Sequence, residues 1–138
     1  MRLHDACNMA HGFLRRIFEV FDRYRTSVDL VTTSEVSVSL TIDNTAHLDE
    51  ICAELRQIAE VTVESNQALI CLVGDAIRDT PGVTLKVLEA MSDINVRMIS
   101  QGASMLNLSL IVSGADLKRG VESLHARLFA VLDTTVFD

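Results

Sequence analysis

Two carboxylates enclose a short segment that is rich in hydroxyl groups. The segment covers residues 27–35, with Asp29 near its beginning and Glu35 at its end. A carboxylate beside a strand attracts an ammonium group, and neighbouring hydroxyls supply further hydrogen bonds. The alternative is a solvated edge strand followed by ordinary turn hydroxyls. The candidate binding groups of this segment are the two carboxylates and the hydroxyl groups between them.

A turn that contains glycine precedes the first amphipathic segment. Residues 8–13 are Asn-Met-Ala-His-Gly-Phe, and Gly12 stands where a helix is expected to begin. The first amides of a helix lack intrahelical acceptors and lie at the positive end of the dipole, so this turn could hold a carboxylate. Taken alone, a tight strand-to-helix turn is the simpler interpretation. Together with Asp29, it predicts a site for a free amino acid, and for a basic one especially.

The sequence lacks the motifs of common catalytic and nucleotide-binding sites. It has no Walker-type phosphate loop, no dinucleotide-binding glycine fingerprint and no nucleophile elbow. His4, Cys7 and His11 have no fourth ligand nearby, which argues against a zinc site. The net charge of -7 disfavours nucleic acid and anionic membranes as partners. We therefore expect no catalytic residue, metal or cofactor in this chain.

An internal repeat determines the organisation of the chain. Gly12 aligns with Gly82 at an offset of 70 residues, and the alternating pattern of residues 36–40 recurs at the same offset. Each copy predicts the order strand-helix-strand-strand-helix-strand, which is the split βαβ arrangement. The predicted fold class is α+β, with antiparallel sheets, helices on one face of each sheet and a shortened first strand. It comprises two ferredoxin-like βαββαβ modules, at residues 1–66 and 67–138.

Apolar periodicity assigns the predicted core positions. In the first helix, Leu14, Ile17, Phe18 and Phe21 recur at helical spacing and predict one buried face. Residues 68–73 form an uninterrupted apolar run, which predicts a buried strand. Residues 130–138 predict either a closing strand over 134–137 or a linker into a further domain. Gly120 is expected to weaken the last helix by about 1 kcal/mol relative to alanine.

The cysteines indicate a reducing compartment. Cys7, Cys52 and Cys71 are odd in number, far apart and set among apolar residues, so buried free thiols are expected. No apolar run approaches the roughly 20 residues of a membrane span. The N-terminal residues lack the order of a signal peptide. Together these observations predict a cytoplasmic location.

The two copies differ at the candidate binding residues. Arg97 aligns with Asp29 at an offset of 68 residues, and Met105 aligns with Glu35 at an offset of 70. An arginine repels an ammonium group by Coulomb's law. A cationic amino acid is therefore expected to bind to the first copy, while the second copy serves packing or coupling.

Most of the chain resembles the regulatory region of lysine-sensitive aspartate kinases. Residues 27–43 (SVDLVTTSEVSVSLTID) resemble the first ACT module of that family, and residues 8–14 resemble the loop and helix start before it. Residues 95–112 and 124–129 resemble the end of its second module. The resemblance implies tandem ACT modules that follow a kinase domain in the parent protein. Some relatives carry a diaminopimelate decarboxylase after this region.

The resemblance also implies a lysine sensor that acts by feedback inhibition. The family's kinase domain uses ATP and magnesium to phosphorylate aspartate on the route to diaminopimelate and lysine. Its effector, L-lysine, lies between the first modules of two chains, which implies a homodimer. Asp29 and Glu35 are assigned to the ammonium group, and backbone near Met9, Val28 and Gly12 to the amino-acid head. The matching positions are Met9, Ser27, Val28, Asp29, Thr33, Ser34 and Glu35, supported by the helix start at Gly12.

Two alternatives remain open from the sequence. In the first, the modules sense threonine or another amino acid. In the second, the chain is a small stand-alone enzyme that uses Asp29 or His11 as a base. The sequence offers no partner group for such a base.

Overall fold

Two compact units make up the chain in the computed structural model. The structure describes residues 1–5, 11–34, 37–75, 77, 79–102 and 107–137. The contacts divide the chain into Met1–Glu64 and Ser65–Asp138, and each unit has its own hydrophobic cluster. Among the described residues, no helix has the length and apolar character needed to cross a membrane. The assignment of separate binding and coupling roles to the two modules stays a prediction.

The first unit contains a complete βαββαβ sequence of elements. Its sheet is antiparallel and has the strand order β2-β3-β1-β4, so β2 and β4 are its outer strands. Buried apolar residues of β1, β3, β4 and both helices form one cluster. The elements are β1 (Arg2–Asp5), α1 (Phe13–Arg23), β2 (Leu30–Thr33), β3 (Ser37–Thr41), α2 (Leu48–Leu55) and β4 (Ala59–Thr62).

The buried face of α1 differs from the predicted one. Ile17 and Phe21 are buried as predicted, but Leu14 and Phe18 are exposed by 43% and 39%. The remaining buried positions are Phe13 and Val20. Residues 13, 17, 20 and 21 follow the helical i, i+4, i+7, i+8 pattern. This stripe shares two positions with the predicted one and has Phe13 and Val20 in place of Leu14 and Phe18. The helix is therefore rotated so that its first residue packs into the core.

The second unit has the same α+β class with one strand fewer among its described residues. Its sheet is antiparallel with the order β5-β7-β6. The predicted closing strand over residues 134–137 is wrong, because these residues belong to the last helix. Residues 128–138 contain neither glycine nor proline, so no helix-terminating residue precedes that segment. The elements are β5 (Gln67–Val73), α3 (Val83–Ala90), β6 (Met98–Gln101), β7 (Asn107–Ser113) and α4 (Leu117–Phe137).

Strand β5 is buried on one face only, which corrects the prediction for residues 68–73. Ile70 is 7% exposed and packs into the core, whereas Leu69 and Val73 are 47% and 73% exposed. Within the described residues, β5 has a single neighbouring strand, β7. An uninterrupted apolar run therefore does not establish that both faces are covered.

The cysteine predictions have different outcomes. Cys52 is free and buried, as predicted, and burial raises the pKa of its thiol. Cys71 is free but exposed, so its predicted burial is wrong. Its side chain accepts a hydrogen bond from the Ser109 hydroxyl at 3.6 Å. Cys7 lies outside the described residues.

The backbone confirms the internal repeat. The amide of Asp29 donates to the carbonyl of Thr41 at 2.9 Å, and the amide of Arg97 donates to the carbonyl of Ile111 at 2.7 Å. These are equivalent positions at the offsets of 68 and 70 residues. Each bond attaches the entry of the second strand of its unit to the end of the third.

Gly120 allows α4 to lie close to the sheet. A Cβ atom at this position would be 3.1 Å from Cδ1 of Ile70 and 3.3 Å from Cε of Met91. Both distances are tighter than an ordinary van der Waals contact. The close approach explains why a residue of low helix propensity is the fourth residue of α4.

Candidate functional site

The start of α1 leaves backbone donors at one end of the first unit. Gly12 is the N-cap residue, with a left-handed φ of 76°, and no side chain of the described residues caps the helix. A Cβ there would meet nothing within 4 Å, so glycine is required by the backbone conformation rather than by space. The described structure thus retains helix-start amides that could bind an anionic group.

The entry of β2 holds Asp29 in a defined position. Val28 is half-buried against the core cluster, whereas Ser27 and Asp29 are exposed. The carbonyl of Thr41 accepts the amide of Asp29 at 2.9 Å, and its side-chain oxygen accepts the amide of Leu30 at 3.1 Å. Thr41 therefore fixes the backbone on both sides of the Asp29 carboxylate. Sequence reasoning treated Thr41 only as a polar position in an alternating strand.

Beyond the end of β2, Ser34 is hydrogen-bonded to Ser37, the first residue of β3. The Ser34 amide donates to the Ser37 carbonyl at 2.8 Å, and the Ser37 amide donates to Ser34 Oγ at 3.2 Å. The two hydroxyl oxygens are 2.7 Å apart. Thr33 precedes Ser34 and is exposed. Ser34 thus makes hydrogen bonds of the kind that the alternative interpretation expects, while its role in binding stays a prediction. Its partner Ser37 was not among the predicted site residues.

The predicted site residues fall into two groups at opposite ends of β2. Thr33 pairs with Val38, in the same row of the sheet as Leu3, near the end where β1 leads into α1. Asp29 lies at the other end of the strand, about 13 Å away at roughly 3.3 Å per residue. Since α1 returns across the sheet from β1 to β2, Gly12 lies at the Thr33 end.

One chain therefore does not bring Asp29 next to the helix start at Gly12. The first group comprises Ser27, Val28 and Asp29, and the second comprises Gly12, Thr33 and Ser34. A lysine side chain has a four-carbon stem, which is too short to join the two groups. Met9 and Glu35, the remaining predicted residues, lie outside the described part of the chain.

At the equivalent end of the second unit, a side-chain hydrogen bond connects the start of α3 to the end of β6. Gly82 caps α3 with a left-handed φ of 84°, as Gly12 caps α1. The Thr84 hydroxyl, in the first turn of α3, donates to Oε1 of Gln101 at the end of β6, at 2.8 Å. Leu14 occupies the position equivalent to Thr84 in the first unit and has no hydroxyl. The two units therefore have the same backbone conformation at this helix start but different side chains around it.

Comparisons with known proteins agree with this architecture. The family model of the ACT domain matches residues 70–128. A solved chain from Porphyromonas gingivalis W83, described as a C-terminal regulatory domain of aspartate kinase, is 37% identical, with a TM-score of 0.84. That match covers 93% of this chain and 88% of the other. The chain belongs to the ACT-domain regulatory regions of aspartate kinases, which confirms the family and fold class predicted from the sequence.

Two further matches involve one enzyme from Escherichia coli. Lysine-sensitive aspartokinase 3 of strain K12 is 39% identical, over 94% of this chain and 31% of the enzyme. The structure of E. coli aspartokinase III in complex with lysine and aspartate, in the T-state, matches with a TM-score of 0.80 and 40% identity. That match covers 93% of this chain and 30% of the other. The chain thus spans less than a third of the length of this relative.

Proposed function

We propose that the chain binds L-lysine through its first unit and transmits feedback inhibition to an aspartate kinase in the lysine pathway. The observation that carries this proposal is the exposed carboxylate of Asp29, held at the entry of β2 by the hydrogen bonds to Thr41. An ammonium about 4 Å from such a carboxylate gains roughly 1 to 4 kcal/mol near a protein surface. The second unit has Arg97 at this position, which favours the first unit as the cation site.

We propose further that the site is shared between two copies of the chain. In the described residues, β2 has one neighbouring strand, so its other edge is available for pairing. If two β2 strands pair antiparallel about a two-fold axis between Val31 and Thr32, Asp29 of one copy lies opposite Ser34 of the other. This arrangement joins the two separated groups and creates two equivalent sites per dimer. It also accounts for a site that one chain leaves incomplete.

The charges of the composite site match the ends of a lysine molecule. Asp29 of one copy faces the side-chain ammonium, and the α1 start of the other copy offers amides and a positive dipole end to the carboxylate. Threonine would keep the carboxylate contact but has no side-chain cation. For inhibition, lysine must bind the inactive arrangement of the kinase better than the active one, by typically 1–3 kcal/mol.

Calorimetric titration with single amino acids tests the proposed ligand. We expect L-lysine to bind and to stabilise the chain by about 2.7 kcal/mol at 100 times its Kd, which raises Tm by several degrees. L-Threonine, D-lysine and L-norleucine, which has lysine's carbon chain without the ammonium, serve as matched ligands and should bind at least tenfold more weakly. Binding of threonine in preference to lysine would instead identify a threonine sensor. No response to any amino acid would contradict the proposal.

A further inference from the structure

Ser37 limits the hydrogen bonds that Ser34 can offer to a ligand. A serine hydroxyl has one proton to donate and two lone pairs that accept. The Ser37 amide takes one lone pair of Ser34 Oγ, at 3.2 Å. The Ser37 hydroxyl, 2.7 Å away, takes either the second lone pair or the proton. Ser34 therefore keeps a single hydrogen-bonding capacity, and the Ser37 hydroxyl determines which one it is.

The location of Ser34 determines whether its hydroxyl donates a hydrogen bond to the ligand or accepts one from it. Ser34 lies at the same end of the first unit as the uncapped start of α1, where the helix dipole favours a negative group. A hydrogen bond to a carboxylate is shorter and about twice as strong as one between neutral groups. A carboxylate at this end would therefore accept a hydrogen bond from the Ser34 hydroxyl, and the Ser37 hydroxyl would rotate to donate to the remaining lone pair of Ser34 Oγ. Bonds arranged in such a chain strengthen one another.

We propose that Ser37 is a positioning residue that makes the Ser34 hydroxyl a donor to the carboxylate of the bound amino acid. This inference rests on the proposed function and specifies which end of the ligand Ser34 recognises. Ser37 itself is half-buried in β3 and does not touch the ligand, whereas Ser34 is exposed. The side-chain ammonium of the ligand is left to Asp29 of the other copy, as proposed above.

The test combines protein variants with a change in the ligand carboxylate. Lysine and lysinamide, in which a neutral amide replaces the carboxylate, are titrated into wild type and Ser37→Ala. We expect Ser37→Ala to weaken lysine binding by about tenfold and lysinamide binding by less than twofold. Ser37→Thr keeps the hydroxyl and should bind lysine within about threefold of wild type. Ser39→Ala is the matched control, since Ser39 is a half-buried serine on the same strand and face whose oxygen accepts from Arg2 Nε at 3.4 Å.

The outcomes separate this inference from the proposed function. If Ser37 had only a structural role, Ser37→Ala would weaken the binding of lysine and of lysinamide equally, or would lower Tm along with the affinity. Either result would overturn the inference and leave the proposed lysine binding unaffected. Failure of Ser37→Thr to restore affinity would also count against it. Absence of lysine binding by wild type would overturn the proposed function and, with it, the role of Ser37.

Discussion

Replacement of Asp29 by asparagine is expected to weaken lysine binding by about 10- to 100-fold, or roughly 1.4–2.7 kcal/mol. The change removes the charge that faces the ammonium while keeping the shape of the side chain. Because Asp29 is exposed, the loss should remain below that of a buried ion pair, and Tm without ligand should stay within about 2 °C of wild type. Calorimetry and thermal unfolding measure both quantities. Asp43→Asn, which alters another exposed carboxylate of the first unit, is the control and should bind lysine normally.

Mixing two defective variants tests whether the site is shared between copies. Asp29→Asn and Ser34→Ala chains are each expected to bind lysine weakly. A heterodimer of the two contains one site with both residues intact and one site that lacks both. Equal mixing should therefore restore high-affinity binding to about a quarter of all sites, because half of the dimers are heterodimers. If mixing restores none, each site belongs to a single chain, and the antiparallel pairing of β2 is wrong.

Replacement of Leu110 by alanine is expected to lower the free energy of unfolding by about 2–5 kcal/mol. Leu110 is fully buried in the central strand of the second unit. Truncation removes apolar contacts and leaves a cavity that the close-packed surroundings fill only partly. Urea unfolding followed by circular dichroism measures the change as a lower midpoint with an unchanged slope.

An exposed leucine of the same unit supplies the control for this loss. Leu85 lies on α3 and is 61% exposed, so Leu85→Ala should change the free energy of unfolding by less than about 0.5 kcal/mol. Equal losses for both leucines would show that β7 is not the centre of the core. A larger loss for Leu85 would indicate that its exposed face is covered in solution.

The order of elements could be predicted because helices and strands differ in the periodicity of their apolar residues. The orientation of α1 could not be predicted. Residues 13–21 contain apolar side chains at so many positions that two overlapping stripes satisfy helical spacing. Leu14 and Phe18 fit one stripe, and Phe13 and Val20 fit the other. Which stripe is buried depends on the angle at which the helix meets the sheet, and that angle is a property of tertiary packing.

The same limit applies to β5 and to the site. Residues 68–73 are apolar throughout, so their pattern contains no information about which face the helices cover. Most of the candidate site residues lie within residues 27–35. Their closeness in sequence conceals that strand β2 separates Asp29 from Ser34 and that each residue of the strand adds about 3.3 Å. Ser37 and Thr41 act through hydrogen bonds to residues 3 and 11–12 positions away. Such partners are recognised only when the strands are placed in register.

Among the described residues β5 is an outer strand, which has a practical consequence for measurements of molecular mass. Strand β5 is seven residues long and contains no charged residue or proline. Uncharged outer strands of this kind tend to pair with strands of other chains. Sedimentation of this chain would therefore report any association through β5 together with the proposed pairing of β2. Leu69→Lys would place a charge on β5 and disfavour association through this strand. Any dimer of this variant that persists, and that becomes more stable when free lysine is added, can be attributed to pairing of β2.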